Sequence, residues 1–275
     1  MPGQPQSASD VHSMPRWLHW LFTILLAANL ALVLTAVCLP SRLQVHSEWP
    51  EAVLILLAAA ATLSALARQL SLQNVVLVAF VTALAGGGVS ALGATTGIPF
   101  GPFTFGPAIG PQLFKTLPWA VPLVWVVAVL NSRGLARLIL RPWRKIRTYG
   151  FWLIGVTAGL TGLFDLALDP FASRVKHYWL WTPTPFPLTW CGAPLVNFMA
   201  WTVVSLLILA FVTPALINKQ PRPKSPPDFH PLGIWLGAVS FFGLAAARRG
   251  LWPEAVVDSA IAAATAFFAL RGGRW

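Results

Sequence analysis

Two aspartates, Asp165 and Asp169, have the type and spacing that could support acid–base chemistry. They lie four residues apart in the apolar run GLFDLALDP, which Pro170 is expected to end. On an α-helix this spacing places both carboxyl groups on one face, one turn apart. Mutual repulsion and poor solvation favour one protonated and one ionised carboxyl, as a general acid and a general base require. The alternative is a structural helix end whose aspartates pair with Arg174 or Lys176, but ionisable residues in such segments usually serve function.

Aromatic side chains are concentrated after this pair. The cluster consists of Tyr178, Trp179, Trp181, Trp190 and Trp201. Aromatic faces stabilise cations and could form the walls of a groove for a long polyene, whereas the alternative is an aromatic belt at the membrane surface. Asn197 lies nearby in an apolar stretch, where its amide needs a partner, either a loop backbone or a positioned water.

Other polar residues give weaker signals. Glu254 and Asp258 repeat the four-residue spacing, but acids at a helix start suit the helix dipole, so we interpret this pair as structural. The five histidines form no pair within any apolar segment, which argues against bis-histidine haem ligation. Cys38 and Cys191 have no zinc-ligand spacing around them, so we expect neither a metal site nor a disulfide framework.

The composition places these residues in a membrane protein. Hydrophobic residues make up 56% of the 275 and charged residues only 10%, whereas a soluble domain carries about a quarter charged residues. The net charge of +11 is best explained by cytoplasmic loops that meet anionic lipid. Nucleic-acid binding is not expected, because no basic face with interleaved aromatics lies outside the apolar segments.

The predicted fold is an all-α, polytopic transmembrane helical bundle of about eight spans, with seven as the alternative. A span needs about 20 apolar residues. The fourth span is the weakest, because Arg133 and Arg137 interrupt it and should snorkel or lie in water. The expected spans are 17–39, 50–67, 72–92, 117–140, 150–168, 194–217, 231–248 and 251–270.

Two loops differ from ordinary linkers. Residues 93–116 are dense in Gly, Pro and Phe, and residues 170–193 in Pro and Trp. Solvated linkers are instead rich in Ser, Glu and Lys. We therefore predict that both loops pack together over one cavity at the non-cytoplasmic face, since irregular backbone at a membrane must lie against protein or a cavity.

Small residues on the fifth span predict close helix packing. Gly155, Gly159 and Gly162 recur on one side of it, and such stripes let neighbouring helix backbones approach.

The distribution of positive charge predicts the orientation. Thirteen Lys and Arg residues fall on the termini and the even-numbered loops, against six on the other side. The positive-inside rule then predicts a multi-pass protein of the cell (inner) membrane with both termini in the cytoplasm.

The domain organisation follows. Residues 1–16 lack signal-peptide features, and we expect them to form a disordered cytoplasmic N-terminus. Residues 17–275 form a single transmembrane domain, in which a polar linker over 218–230 precedes two C-terminal helices within 231–270.

Five ordered motifs carry a resemblance to a known family. They are TGIPFGPFTF, VPLVW, DLALDP, HYWLW and GAPLVNFMAW, within residues 85–217. These motifs resemble the carotenoid biosynthesis membrane proteins that include the carotenoid 1,2-hydratases and bisanhydrobacterioruberin hydratase. The resemblance implies a seven- or eight-helix enzyme that needs no cofactor or metal. Such an enzyme would add water to the terminal C1–C2 double bond of an acyclic carotenoid.

The resemblance and the residues together give a mechanistic hypothesis. Asp169 is the preferred proton donor to the alkene, and Asp165 with Asn197 orients and deprotonates the water. The residues expected to contact the substrate are Phe100, Phe103, Phe105, Trp125, Tyr178, Trp179, Trp181 and Trp201.

Other functions stay open at this point. The chain has Phe103 and Phe105 where the family usually has tyrosines, and Ser90 near a position that is typically acidic. A non-catalytic carotenoid- or lipid-binding subunit of a larger complex is therefore the alternative, and a small-solute transporter is a third reading. The partners implied are a carotenoid or other isoprenoid lipid, membrane lipids, and other carotenoid enzymes or a pigment–protein complex.

Overall fold

The apolar segments form eight α-helices within the residues that the computed structural model describes, which are 15–38, 49–183, 188–217 and 227–275. Residues 1–14 of the predicted N-terminal tail and 218–226 of the predicted linker lie outside these ranges. The helices are α1 (Arg16–Cys38), α2 (Trp49–Ala67), α3 (Leu72–Thr96), α4 (Ala120–Ile139), α5 (Tyr149–Pro170), α6 (Leu195–Val212), α7 (His230–Arg248) and α8 (Trp252–Gly273).

Seven of the described helices, all except α2, are long and apolar enough to cross a membrane. Helix α2 contributes a shorter apolar segment over Glu51–Ala67. The predicted fold class is confirmed, and the chain is an integral membrane protein built as an all-α polytopic bundle.

Helix α4 occupies the centre of the bundle. It packs against α2, α3, α5, α7 and α8, and most of its side chains are buried. The expectation that both arginines reach water is wrong for Arg133, which is buried. Its guanidinium donates to the carbonyl oxygen of Leu216, which lies just beyond α6, at 3.2 Å. This charge-assisted hydrogen bond gives the buried guanidinium a polar partner inside the bundle.

The two unusual loops pair with each other, as predicted. Strand β1 (Phe103–Phe105) runs antiparallel to β4 (Trp179–Trp181), with Phe103 opposite Trp181 and Phe105 opposite Trp179. Gly106 permits this approach, since a Cβ there would lie 2.2 Å from the carbonyl oxygen of His177. Two short hairpins complete the loops: β2 (Gln112–Leu113) with β3 (Leu117–Pro118), and β5 (Thr189–Trp190) with β6 (Ala193–Pro194).

The end of α5 differs from the expectation that Pro170 stops the helix. The chain continues as a π-helical turn over Phe171–Val175, closed by the amide of Lys176 donating to the carbonyl of Phe171 at 3.0 Å. Proline lacks the amide hydrogen that the regular ladder needs, and π-turns of this kind are frequent at functional sites.

The glycine stripe on α5 is only partly an interface. A Cβ on Gly162 would lie 2.4 Å from Thr202 Oγ1 of α6, so this glycine does permit close packing. A Cβ on Gly155 or Gly159 would meet no described atom within 4 Å, so the prediction is wrong for these two positions.

Candidate active site

The two aspartates of α5 lie inside the protein. Asp165 is 1% exposed and Asp169 is 0% exposed, one helical turn apart. Neither forms an ion pair with Arg174 or Lys176 in the part of the chain that the structure describes, and Lys176 instead pairs with Glu51. The alternative of an interfacial helix end with paired aspartates therefore does not describe this pair.

Asp169 is held by two tryptophans of β4. Trp179 Nε1 donates to Asp169 Oδ1 at 2.7 Å, and Trp181 Nε1 donates to the same oxygen at 3.0 Å and to Oδ2 at 3.3 Å. Alternate residues of a strand point to one face, so the Trp-Leu-Trp sequence aims both indoles at one carboxyl. These tryptophans therefore bind the acid as well as forming part of an aromatic wall.

Asp165 has a different environment. Asn197 Nδ2 of α6 donates to Asp165 Oδ2 at 2.7 Å. The partner of this amide nitrogen is therefore a carboxyl group, and not the loop backbone or the water that the sequence suggested. Asp165 Oδ1 is buried with no hydrogen-bond partner among the described residues. The two carboxyl groups therefore differ, because Asp169 accepts from two indoles whereas Asp165 keeps one oxygen unpartnered in the described structure.

A small pocket of about 40 Å³ lies at the pair. This volume has room for at least one water, because a water needs only about 10–15 Å³ of such space. The pocket is lined by Ser90, Phe100, Phe103, Phe105, Val121, Asp165, Asp169, Trp179, Trp181, Asn197 and Trp201. Most of the predicted site residues therefore share one pocket, and their roles stay a prediction.

Trp125 and Tyr178 are not in this lining. Trp125 lies one layer behind it, stacked on Trp201 with ring centroids 3.8 Å apart and its Nε1 donating to Ser90 Oγ at 3.0 Å. It therefore packs behind the pocket wall, and its predicted contact with a substrate stays a prediction. Tyr178 donates its hydroxyl hydrogen to Glu51 of α2 and lines the larger cavity described next.

A large apolar cavity adjoins the small pocket. Its volume is about 920 Å³, and it lies among α1, α2, α4, α5 and α7. Val121, Trp179 and Trp201 line both spaces, so these side chains form the shared boundary. An elongated hydrocarbon could lie in the large cavity with one end at the acid pair.

The second acidic pair lies elsewhere. Glu254 and Asp258 are buried on α8 and line neither space. Cys191 Sγ donates to Glu254 Oε1 at 2.8 Å, and burial, reinforced by this hydrogen bond, raises the pKa of the Cys191 thiol. No three His, Cys, Asp or Glu side chains of the described ranges gather as a metal site would require.

Several lining residues were not predicted from the sequence. Val121 reaches the small pocket, and Glu51 and Thr23 reach the large cavity. His230 lines the same cavity, and its ring lies 4.5 Å from that of His19, centroid to centroid. Sequence spacing could not reveal this pair, because its members lie on α1 and α7.

Comparison with known proteins places the chain in a family. The family model described as carotenoid biosynthesis protein matches residues 51–265. A curated relative, the bisanhydrobacterioruberin hydratase of Haloarcula japonica, is 30% identical over 125 residues, which cover 45% of this chain and 40% of the relative. No solved structure matches the chain.

The family match is broader than the segment 85–217 that carried the resemblance. It takes in α2, α7 and most of α8, whose sequences carry no distinctive motif but whose side chains complete the large cavity or pack beside it. With the model matching this much of its length, the chain belongs to the carotenoid biosynthesis protein family.

Proposed function

We propose that this protein is a membrane hydratase that adds water to the terminal C1–C2 double bond of an acyclic carotenoid. One observation carries the proposal: a buried carboxyl pair, with one oxygen unpartnered in the described structure, lies where a water-sized pocket meets a large apolar cavity. Family membership and the name of the relative, a hydratase, support the same reaction class.

The hydrogen bonds favour Asp165 as the proton donor, the reverse of the assignment preferred from sequence. Asp169 accepts from two indole N–H groups, which can hold a carboxylate in place. Asp165 accepts only from Asn197 and keeps Oδ1 unpartnered within the described structure. A proton on this oxygen is available to a substrate.

The reaction then proceeds in two steps. Asp165 gives its proton to C2 of the terminal alkene, and the π electrons form that C–H bond and leave a tertiary carbocation at C1. A water in the small pocket attacks C1 and loses a proton to Asp169, which gives the tertiary alcohol. Transfer of that proton from Asp169 to Asp165 restores the starting state.

Aromatic side chains suit the cationic intermediate. Trp179, Trp181 and Trp201 line the pocket together with Phe103 and Phe105, and aromatic faces attract a cation through their quadrupole. Such a lining stabilises positive charge without offering a competing nucleophile. The phenylalanines that replace the family's usual tyrosines are compatible with this role.

The polyene would occupy the large cavity. Its lining is mostly apolar, as a hydrocarbon chain requires. We propose that the chain arrives sideways from the bilayer, because a long polyene is poorly soluble in water.

Purified full-length protein in lipid nanodiscs, supplied with an acyclic carotenoid and isotopically labelled water, tests the proposal. We expect the product to gain the mass of one labelled water at its end group. Asp165→Asn should lower the rate by about 10²–10⁴-fold, as loss of a general acid does. Asp169→Asn should cost less, because water can still attack a formed cation.

The outcomes separate the alternatives. The opposite order of losses would exchange the roles of the two aspartates and keep the hydratase. Carotenoid that stays bound but unmodified in the wild-type protein would refute catalysis and support the binding-subunit alternative.

A further inference from the structure

Three side chains separate the acid pair from the large cavity. Asp165 and Asp169 line the small pocket but not the large cavity. Within the described ranges, the residues that line both spaces are Val121, Trp179 and Trp201. A polyene that lies in the large cavity must therefore bring its end group across this shared boundary to reach a carboxyl. Whatever sets the width of the shared boundary also selects the end groups that react.

The two indoles of the shared boundary are held in place. Trp179 Nε1 donates to Asp169 Oδ1 at 2.7 Å, and Trp201 stacks on Trp125 with ring centroids 3.8 Å apart. Trp125 itself packs tightly on α3, since a Cβ on Gly86 would lie 2.2–2.7 Å from three of its atoms. Neither indole can move aside without losing a hydrogen bond or a stacking contact, so the indoles form two fixed sides of the boundary.

Val121 is the smallest of the three boundary side chains, and it is also held in place. It lies in the first turn of α4 and is only 8% exposed. The next residue, Pro122, packs closely on α3, since a Cβ on Gly87 would lie 2.9 Å from Pro122 Cγ. A valine in a helix has one strongly preferred rotamer. The two methyl groups of Val121 therefore have fixed positions, and their bulk sets the room left beside the indoles.

We propose that Val121 determines which end groups reach the acid pair, passing a terminal isopropylidene group and excluding larger ends. An isopropylidene carbon is planar and carries two methyl groups. The small pocket holds only about 40 Å³, so each further carbon must displace side chains of the boundary or of the pocket, which close packing resists. This inference rests on the proposed hydratase function and deepens it, because it names the residue that selects the end group.

A pair of substrates that differ by two carbons tests this role. One synthetic acyclic polyene ends in an isopropylidene group, and in the other both terminal methyl groups are replaced by ethyl groups. Wild-type protein in lipid nanodiscs should hydrate the methyl-ended polyene with a kcat/KM about 10- to 200-fold higher, the range typical of one misfitting methylene. Val121→Ala removes two carbons from the boundary, as many as the ethyl groups add, and should lower this ratio about tenfold.

The matched control is Val124→Ala. Val124 lies one turn further along α4 and lines the large cavity but not the small pocket. This substitution removes the same two carbons away from the shared boundary, so it should keep the wild-type ratio whatever its effect on the rate. Because the ratio compares two substrates on one protein preparation, partial loss of folded protein does not change it.

A photo-crosslinking measurement makes the test independent of hydration. A polyene that carries a methyl diazirine at its end, close in size to an isopropylidene group, is bound in the dark and illuminated, and mass spectrometry maps its attachment sites. The label should reach Asp165 or Asp169 in the wild-type protein. Val121→Phe should confine the label to residues that line the large cavity, because the larger side chain fills the boundary.

Three results would overturn the proposal: an unchanged ratio in Val121→Ala, the same fall of the ratio in Val124→Ala, or label on the acid pair in Val121→Phe. A wild-type protein that hydrates neither polyene, but whose label shifts in Val121→Phe as expected, would refute the proposed hydratase and keep the role of Val121 at the boundary. The two failures are therefore distinguishable.

Discussion

At the scale of single residues, Asn197 is the group that orients Asp165. Its amide donates to Asp165 Oδ2, and Oδ1 has no hydrogen-bond partner among the described residues. Asn197→Leu keeps the volume and removes this donor. We expect the hydration rate to fall by about 10- to 100-fold, because small misplacements of a reacting group carry losses of this order.

The control for this variant lies two turns further along α6. Ser205 is buried, and its Oγ has no hydrogen-bond partner among the described residues. Ser205→Ala should leave both the rate and the melting temperature near those of the wild type. An Asn197→Leu protein that is fully active would show that Asp165 needs no such orientation.

Cys191 gives a residue-scale prediction that depends on pH. Burial and the hydrogen bond to Glu254 raise the pKa of its thiol, so the reactive thiolate forms only above the usual pH range. In a Cys38→Ser background, iodoacetamide at pH 8.5 should label Cys191 at least about tenfold more slowly than a free cysteine with its pKa near 8.5. Glu254→Gln should speed the labelling of Cys191, because it removes a carboxylate that raises the thiol pKa. Equal labelling rates with and without this substitution would show that Glu254 does not raise that pKa.

At the scale of elements, the approach of α3 to α4 supports the pocket wall. A Cβ on Gly86 would lie 2.2–2.7 Å from three atoms of Trp125, and Trp125 stacks on Trp201. Gly86→Ala should force the helices apart at a cost of about 1–3 kcal/mol, lowering the melting temperature and the hydration rate together. On the same helix, a Cβ on Gly88 would have no described neighbour within 4 Å. Gly88→Ala should therefore lower neither the melting temperature nor the hydration rate.

The sequence predicts such elements better than it predicts their contacts. Hydrophobic length locates the helices within a few residues, and the composition of the two loops indicates that they pack together. The stacking of Trp125 behind Trp201 and the pairing of His19 with His230 join residues far apart in the chain. Neither spacing nor composition contains this information, because it arises from tertiary packing.

At the scale of the molecule, the orientation in the membrane stays a prediction. The thirteen-to-six distribution of Lys and Arg predicts cytoplasmic termini. Positions 145 and 183 lie on either side of α5. In a background without native cysteines, Lys145→Cys and Pro183→Cys should react with an impermeant maleimide from opposite faces, position 145 from the cytoplasm. Labelling of both from one face would refute the eight-span arrangement.

The stacked indoles of Trp125 and Trp201 also give the site a spectroscopic signal. Their rings are parallel to within 10°, a geometry in which the electronic transitions of two chromophores couple and give a paired signal in near-ultraviolet circular dichroism. Trp201 borders both the small pocket and the large cavity, so a bound polyene would lie against one member of the pair and accept its excitation energy. Occupancy could therefore be followed optically in the unlabelled protein, with Trp125→Phe as the blank that removes the coupled signal.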